Sequence, residues 1–197
     1  MPAVHEQAEA AVALSTEQGF PLWAALGTSL RGWALAMQSQ GEEGIAQVRQ
    51  GIAAFRATGA ALFVPYLCTM LAEVCDHLGH TEDGLQALAE AHTLVEQHEE
   101  RWWEAEIYRL RGVLLLKHPG TPQAEAETWL QRALDVARRQ EAKSLELRAA
   151  MSLARLWQQQ GKRGEARELL APVYGWFTEG FDTADLQEAK ALLEALE

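Results

Sequence analysis

Four residues between positions 68 and 80 have side chains that could bind a metal ion. Cys68, Cys75, His77 and His80 follow the order C-x6-C-x-H-x2-H. Structural zinc modules usually pair their ligands with only a few residues between them, and this spacing matches none of those modules. Both cysteines fall at inward positions of a helical pattern, where a thiol behaves as a small apolar group. The cluster therefore predicts packing, and we expect neither a metal nor another cofactor.

No other group of residues is spaced for catalysis. The remaining histidines are scattered singly along the helical segments, and no serine is placed by a motif beside one of them. The sequence contains no nucleophile motif, no thiol placed beside a base and no pair of carboxylates placed at a predicted cleft. The phosphate-binding sequence G-x-x-x-x-G-K-S/T is also absent. We expect a chain that is not an enzyme.

The charge balance excludes nucleic acid as a partner. Seventeen basic against 28 acidic residues give a net charge of -11, so the positive surface that binds phosphate backbones or anionic lipid is missing. No run of apolar residues is long enough to span a membrane, and the first residues lack a secretory signal pattern. The two cysteines would lie about 10 Å apart on a helix, too far for a disulfide. We expect a cytoplasmic protein that binds neither nucleic acid nor membrane.

Helical periodicity runs through almost the whole chain. Apolar residues recur at helical spacing, and no segment alternates for long enough to predict a strand. Glycine and proline divide the pattern into helices of about 15 to 20 residues. Pro172 lies inside one of these helices, where a proline removes a backbone hydrogen bond and clashes with the preceding turn. We expect this helix to kink or stop between Glu168 and Gly175, so that Trp176, Phe177 and Phe181 fold against the last helix.

Small residues repeat along the helices with a period of about 40. In the first helix of each predicted pair they stand at Gly32, Ala72, Gly112 and Ala154. In the second helix they stand at Gly44, Gly84, Ala126 and Ala166, each followed four residues later by Val48, Leu88, Leu130 or Leu170. Small residues at fixed positions allow two helix backbones to cross closely, and the large residue fills the adjoining space. The pattern predicts four helical hairpins.

These positions resemble the motif of the tetratricopeptide repeats. The second repeat carries it as Leu71-Ala72, Gly79, Gly84, Leu88 and Ala91, and the fourth as Leu153-Ala154, Trp157, Gly161, Ala166 and Leu170. Repeats one and three depart from it, since Arg31 and Arg111 precede their glycines. The resemblance implies an all-α, right-handed superhelical solenoid of antiparallel helix pairs, with repeats of about 40 residues.

The repeats divide the chain into consecutive segments. We expect a partial repeat helix at 1–19, repeats at 20–59, 60–100, 101–141 and 142–181, and a capping helix at 182–197, all in one domain. The first helix resembles the second helix of a repeat that lacks its partner. Its apolar face, which includes Ala8, Ala11, Val12 and Leu14, is expected to favour pairing with a second copy of the chain.

The segment from Leu170 to Lys190 resembles the C-terminal end of large bacterial signalling proteins. Those proteins join an adenylate or guanylate cyclase domain, or another effector domain, to a P-loop ATPase and then to tetratricopeptide repeats. The resemblance implies a non-catalytic, regulatory arm that binds a protein or peptide. An alternative remains open, in which a similar superhelix senses a small effector molecule and controls the ATPase or cyclase.

Stacked hairpins leave their first helices on a concave wall, where a partner segment is expected to bind. Trp33 and Tyr66 would anchor the segment because rigid aromatic rings give contact area at little entropic cost. Arginines and a lysine further along would bind carboxylates. The expected wall comprises Trp33, Met37, Tyr66, Thr69, Glu73, Asp76, Arg109, Val113, Lys117, Arg148, Arg155 and Gln158.

Overall fold

A computed structural model describes residues 2–38 and 40–197. This part of the chain folds into ten α-helices and contains no strand. The helices are α1 (Pro2–Glu17), α2 (Pro21–Ala36), α3 (Gly41–Ala57), α4 (Val64–Leu78), α5 (Thr81–His98), α6 (Glu104–Lys117), α7 (Gln123–Arg139), α8 (Lys143–Gln159), α9 (Arg163–Tyr174) and α10 (Ala184–Ala195). None of them is long and apolar enough to cross a membrane.

The helices form two compact units, Met1–Arg101 and Trp102–Glu197. In unit 1, α1 packs on α2, and the hairpins α2–α3 and α4–α5 pack on each other. In unit 2, the hairpins α6–α7 and α8–α9 pack together, and α10 lies against α8 and α9. Each unit therefore has hairpins and a core of its own.

The repeated small residues lie where paired helices cross. A Cβ atom added at Gly32 of α2 would stand 2.7 Å from the backbone nitrogen of Val48, and one added at Gly44 would stand 2.6 Å from the carbonyl oxygen of Gly32. In unit 2, a Cβ at Gly112 would stand 2.7 Å from Cγ of Leu130. At Gly32 and Gly44 the partner helix places backbone atoms at these distances, so the two backbones approach closely only because these residues are small.

The large apolar residues that follow the second set of small residues form the centre of each hairpin. Val48, Leu88, Leu130 and Leu170 are each 0% exposed. The spacing of the repeat predicts that these four side chains fill the space beside the helix crossing, and their complete burial agrees with this prediction.

The proline in α9 ends the helix within the predicted interval. α9 stops at Tyr174, and Gly175 is its C-cap residue. Phe177 then packs against the unit 2 core, while the ring centroid of Phe181 lies 5.9 Å from that of Tyr174. Trp176 remains 58% exposed, so the expectation that it folds against the last helix is wrong.

The first helix has a partner in α2. Ala8 is buried, and Val12 approaches Gly27 so closely that a Cβ at Gly27 would stand 2.9 Å from its Cγ2 atom. Ala11 and Leu14 lie on the exposed side of α1. The apolar face of α1 is therefore divided between a packed half and an exposed half.

Candidate binding surface

In unit 1, the expected wall residues lie on the first helix of each hairpin. Trp33 belongs to α2, and Met37 is its C-cap residue. Both pack against a small core cluster formed by Ala36, Ile45, Val74 and Cys75. Each keeps part of its surface exposed, so this wall has an apolar base that reaches the surface.

A hydrogen bond joins α2 and α4 across the wall of unit 1. The indole Nε1 of Trp33 donates to a carboxylate oxygen of Glu73 at 2.9 Å, although the two residues are 40 positions apart in the chain. Since Glu73 holds the ring from the next repeat, the orientation of Trp33 is set by the stacking of two hairpins. An oriented, partly exposed indole loses little entropy on binding.

The α4 residues of this wall differ in how much surface they offer. Tyr66, Glu73 and Asp76 are half-buried. Thr69 is 3% exposed, and its hydroxyl donates to the carbonyl oxygen of Tyr66 at 2.6 Å. Thr69 therefore lies within the packed part of the unit and presents almost no surface.

In unit 2, Arg109 turns toward a buried carboxylate. Glu106 is 3% exposed and accepts two hydrogen bonds from Arg109, at 2.8 and 2.7 Å. Arg148 of α8 approaches the same carboxylate at 3.0 Å, and Arg109 also donates to the hydroxyl of Ser152 at 3.3 Å. This ion cluster joins α6 to α8.

The ion cluster shifts the titration of its carboxyl group. Burial alone would raise the pKa of Glu106 because it disfavours the charged form. The charge of Arg109 and its hydrogen bonds, followed by the charge of Arg148, outweigh burial and hold the pKa of Glu106 below its ordinary value. Glu106 is therefore ionised at neutral pH and binds two arginines inside unit 2.

The last helix meets the wall residues of α8. Arg155 donates to Glu188 of α10 at 2.8 Å, and Arg148 lies 3.9 Å from Asp185. The side-chain amide of Gln158 donates to the carbonyl oxygen of Ala195 at 3.4 Å. α10 thus brings acceptors to all three expected wall residues of α8.

The other expected residues of unit 2 lie on α6. Val113 is half-buried and packs against the unit 2 core, and Lys117 is exposed at the last position of the helix. The repeat spacing predicts these residues and Arg109 on one face, but it does not predict that Arg109 binds Glu106. The spacing of Glu106 and Arg109 by three positions on a helix was the available signal.

A cleft of about 520 Å³ opens in unit 1 between α3, α4 and α5. Two ion pairs line its rim, Arg49 with Asp83 and Arg56 with Glu90. Apolar residues of all three helices also line it, and they include Ile52, Leu71 and Ala87. The volume is within the range of small-molecule sites.

The two cysteines are buried and form no disulfide. Cys68 lines that cleft, and burial raises the pKa of its thiol to about 12. Burial likewise raises the pKa of Cys75 to about 11. Both thiols are therefore protonated at neutral pH and poorly nucleophilic. Among residues 2–38 and 40–197, no group of three or more His, Cys, Asp and Glu side chains is placed to hold a metal ion.

Comparison with known proteins identifies the architecture. No family model and no curated protein matches the chain. A crystal structure of Podosopora anserina putative kinesin light chain nearly identical TPR-like repeats superposes with a TM-score of 0.60 at 18% sequence identity. The match covers 87% of this chain and 84% of the other. The fold is that of TPR-like repeats. The expected fold class, an all-α array of antiparallel helix pairs, is confirmed.

Proposed function

We propose that this TPR-like chain is a non-catalytic protein-binding domain, and that the wall of α2 and α4 in unit 1 receives a segment of the partner. The hydrogen bond between Trp33 and Glu73 carries this proposal. It holds a large aromatic ring in one orientation at the surface, beside the carboxylate of Glu73. Asp76 follows Glu73 by three positions on α4. Such an arrangement suits a segment that carries a basic residue next to an apolar one, since an indole face attracts cations.

The charge of unit 1 supports the same kind of partner. Residues 1–101 contain 4 basic and 13 acidic residues, a net charge of -9. A field of this sign raises the association rate of basic segments and slows that of acidic ones. The arginines of unit 2 contribute less than expected from the sequence, because Arg109, Arg148 and Arg155 bind carboxylates of their own unit.

Selection of peptides on the full-length chain tests the proposal. Peptides from a random displayed library should be enriched in basic and aromatic residues, and Trp33→Ala should weaken their binding by more than about tenfold, a loss of about 1.4 kcal/mol. Trp23→Ala is the matched control, because Trp23 is 58% exposed but lies near the start of α2, away from Glu73. Equal binding by the parent and by a folded Trp33→Ala variant would contradict the proposal.

A second candidate function is the sensing of a small effector, and the cleft between α3, α4 and α5 favours it. The ion pairs at its rim are exposed and contribute at most about 1 kcal/mol each, so a charged ligand could replace one partner at little cost. Calorimetry of the chain against a panel of metabolites, repeated with Ile52→Trp to fill the cleft, would separate this function from protein binding. Heat of binding that Ile52→Trp leaves unchanged would count against the cleft.

We further propose that the exposed half of α1 pairs with a second copy. Leu14 is 60% exposed, and Phe20 is 54% exposed just beyond α1. Sedimentation of the parent should show a concentration-dependent dimer, and Leu14→Glu should remove it. A parent that stays monomeric at high concentration would refute this pairing.

The wider setting of the chain is also a proposal. We propose that it is the regulatory arm of a bacterial signalling protein, in line with the resemblance of its C-terminal segment, and that it acts in the cytoplasm. Sequencing the gene on both sides of the region that encodes this chain tests the proposal. A P-loop ATPase or a cyclase domain encoded upstream would support it, and a reading frame without either would refute it.

A further inference from the structure

Two arginine side chains lie against one indole ring in unit 2. The guanidinium carbon of Arg111 lies 4.1 Å from the ring centroid of Trp129, and that of Arg132 lies 4.8 Å from the same centroid. Within residues 2–38 and 40–197, neither guanidinium has a carboxylate at ion-pair distance, and the indole N–H of Trp129 has no acceptor. Arg132 is exposed and Trp129 is half-buried, so an ion in solution can reach them. The two guanidinium groups and the indole N–H are therefore hydrogen-bond donors without an acceptor among these residues.

The same positions in the other repeats show that packing does not require this arrangement. Arg111 stands where repeats two and four have Leu71 and Leu153, and Trp129 stands where they have Ala87 and Leu169. Repeat one has Arg31 and Gln47 there, and Arg31 donates to the amide oxygen of Gln47 at 2.9 Å. Repeats two and four therefore have an apolar pair at these positions. In repeat one the arginine has a hydrogen-bond acceptor, which Arg111 lacks among the described residues.

Two other partly buried indoles differ from that of Trp129 because each has a carboxylate acceptor for its N–H group. Trp33 donates to Glu73, and Trp157 donates to Glu127 at 2.7 Å. Beside Trp129, two positive charges take the place of the carboxylate. An aromatic ring attracts each cation but provides no net negative charge, so the ring itself does not neutralise the two guanidinium groups.

We propose that Arg111, Arg132 and the indole N–H of Trp129 form a binding site for a phosphate monoester group. This group carries a charge of about -1.5 to -2 at pH 7, which matches two guanidinium groups, whereas a carboxylate supplies a single charge. Its oxygens also accept paired hydrogen bonds from the planar guanidinium fork. The site lies in unit 2 and does not depend on the function proposed for the α2 and α4 wall.

Calorimetric titration of the full-length chain with inorganic phosphate at pH 7.5 tests the site. We expect a Kd of about 1 mM or tighter, and a shift of the Trp129 indole signal in the ¹H–¹⁵N spectrum. Arg111→Leu should weaken binding by more than about tenfold, because hydrogen bonds to charged groups are the strong ones. It should leave the melting temperature unchanged or higher, since leucine stands at this position in two other repeats. Arg132→Gln, at an exposed position, should weaken binding to a similar extent.

Arg139→Gln is the matched control for charge. Arg139 is an exposed arginine on the same helix, seven positions beyond Arg132, with no part in the Trp129 cluster. Its replacement should change phosphate binding by less than about twofold. An equal loss in Arg139→Gln and Arg132→Gln would mean that phosphate is attracted by charge alone, and would overturn the site. No heat of binding below about 1 mM phosphate would also overturn it.

Further titrations distinguish the sources of the phosphate group. Free phosphate, phosphoserine and AMP all present the same group, and the tightest of them that loses affinity in Arg111→Leu identifies the source. Titration with acetate, which carries a single negative charge, tests whether the site prefers a dianion. Binding of acetate as tight as that of phosphate would contradict a site built for a dianion.

Discussion

At the scale of single residues, the Glu106 carboxylate shows how one buried charge changes the roles of its neighbours. Arg109 is 12% exposed and Arg148 is 25% exposed, and both direct their guanidinium groups to Glu106. An exposed ion pair contributes at most about 1 kcal/mol, but removing one partner of a buried pair costs about 3 to 5 kcal/mol. These two arginines therefore stabilise unit 2, and we expect reversal of their charges to destabilise it strongly.

The first prediction concerns acid stability. Because Glu106 has a lowered pKa in the folded chain, its contribution is fully present above its unfolded pKa of about 4.3 and is lost as the pH falls through the folded value. The hydrogen bonds that Lys143 and Arg138 donate hold the pKa of Glu146 low as well, against the effect of burial. We expect the free energy of unfolding to decline below about pH 4.

Chemical denaturation at pH 7 and at pH 3.5 measures this decline. Glu106→Gln should lower stability by about 3 kcal/mol at pH 7 and should show a smaller further loss at pH 3.5 than the parent. Glu165→Gln is the control, since Glu165 is exposed on α9. A Glu106→Gln variant with the same pH dependence as the parent would show that Glu106 is not the group that titrates.

At the scale of helices, the atoms around each glycine determine how strictly a helix crossing requires a small residue. At Gly32 the nearest atoms include the backbone nitrogen of Val48 and the carbonyl oxygen of Gly44, which cannot move without moving α3. At Gly112 the two nearest atoms belong to the Leu130 side chain, and the nearest backbone atom, the carbonyl oxygen of Ala126, lies further away at 3.1 Å. The same small residue is thus required more strictly in repeat one than in repeat three.

The second prediction follows from that difference. Gly32→Ala should destabilise the chain by about 1 to 3 kcal/mol or more, and Gly112→Ala should cost less. Gly164→Ala is the matched control, because nothing lies within 4 Å of its added Cβ in α9. Alanine there should stabilise by up to about 1 kcal/mol through its higher helix propensity. Thermal melts in which Gly32→Ala and Gly164→Ala behave alike would contradict the close crossing.

The elements also show how far a sequence can predict this protein. Helices, hairpins and the burial of Leu88 or Leu130 follow from periodicity, because a repeat position faces the same neighbour in every repeat. The partner of a long charged side chain does not follow, since it depends on rotamers and on the offset between adjacent helices. For this reason the sequence predicts that Arg109 and Arg155 lie on the wall but does not predict their ion pairs with Glu106 and Glu188.

At the scale of the whole molecule, the boundary between the two units, after Arg101, also separates an acidic part of the sequence from a nearly neutral one. Residues 1–101 carry 4 basic and 13 acidic residues, and residues 102–197 carry 13 and 15. The main core cluster of unit 2 draws its buried residues from Leu130 to Leu196, and a smaller one draws on Ala105 and Val136. All of these residues lie in unit 2. Repeats of this kind derive their stability from their own hairpins and from the interfaces with their immediate neighbours.

The last prediction is that unit 2 folds when residues 102–197 are produced alone. Two hairpins, a capping helix and the Glu106 ion cluster lie within this segment, and domains of this length bury enough surface to fold independently. Circular dichroism should show a helical spectrum and a cooperative melt, with the acid lability of the full-length chain. Residues 1–101 serve as the comparison, because they lack Glu106 and Glu146 and should retain their helical signal to a lower pH. If the 102–197 segment were unfolded while the full-length chain melted cooperatively, the stability of unit 2 would depend on residues outside it, and the independence inferred from its cores would be wrong.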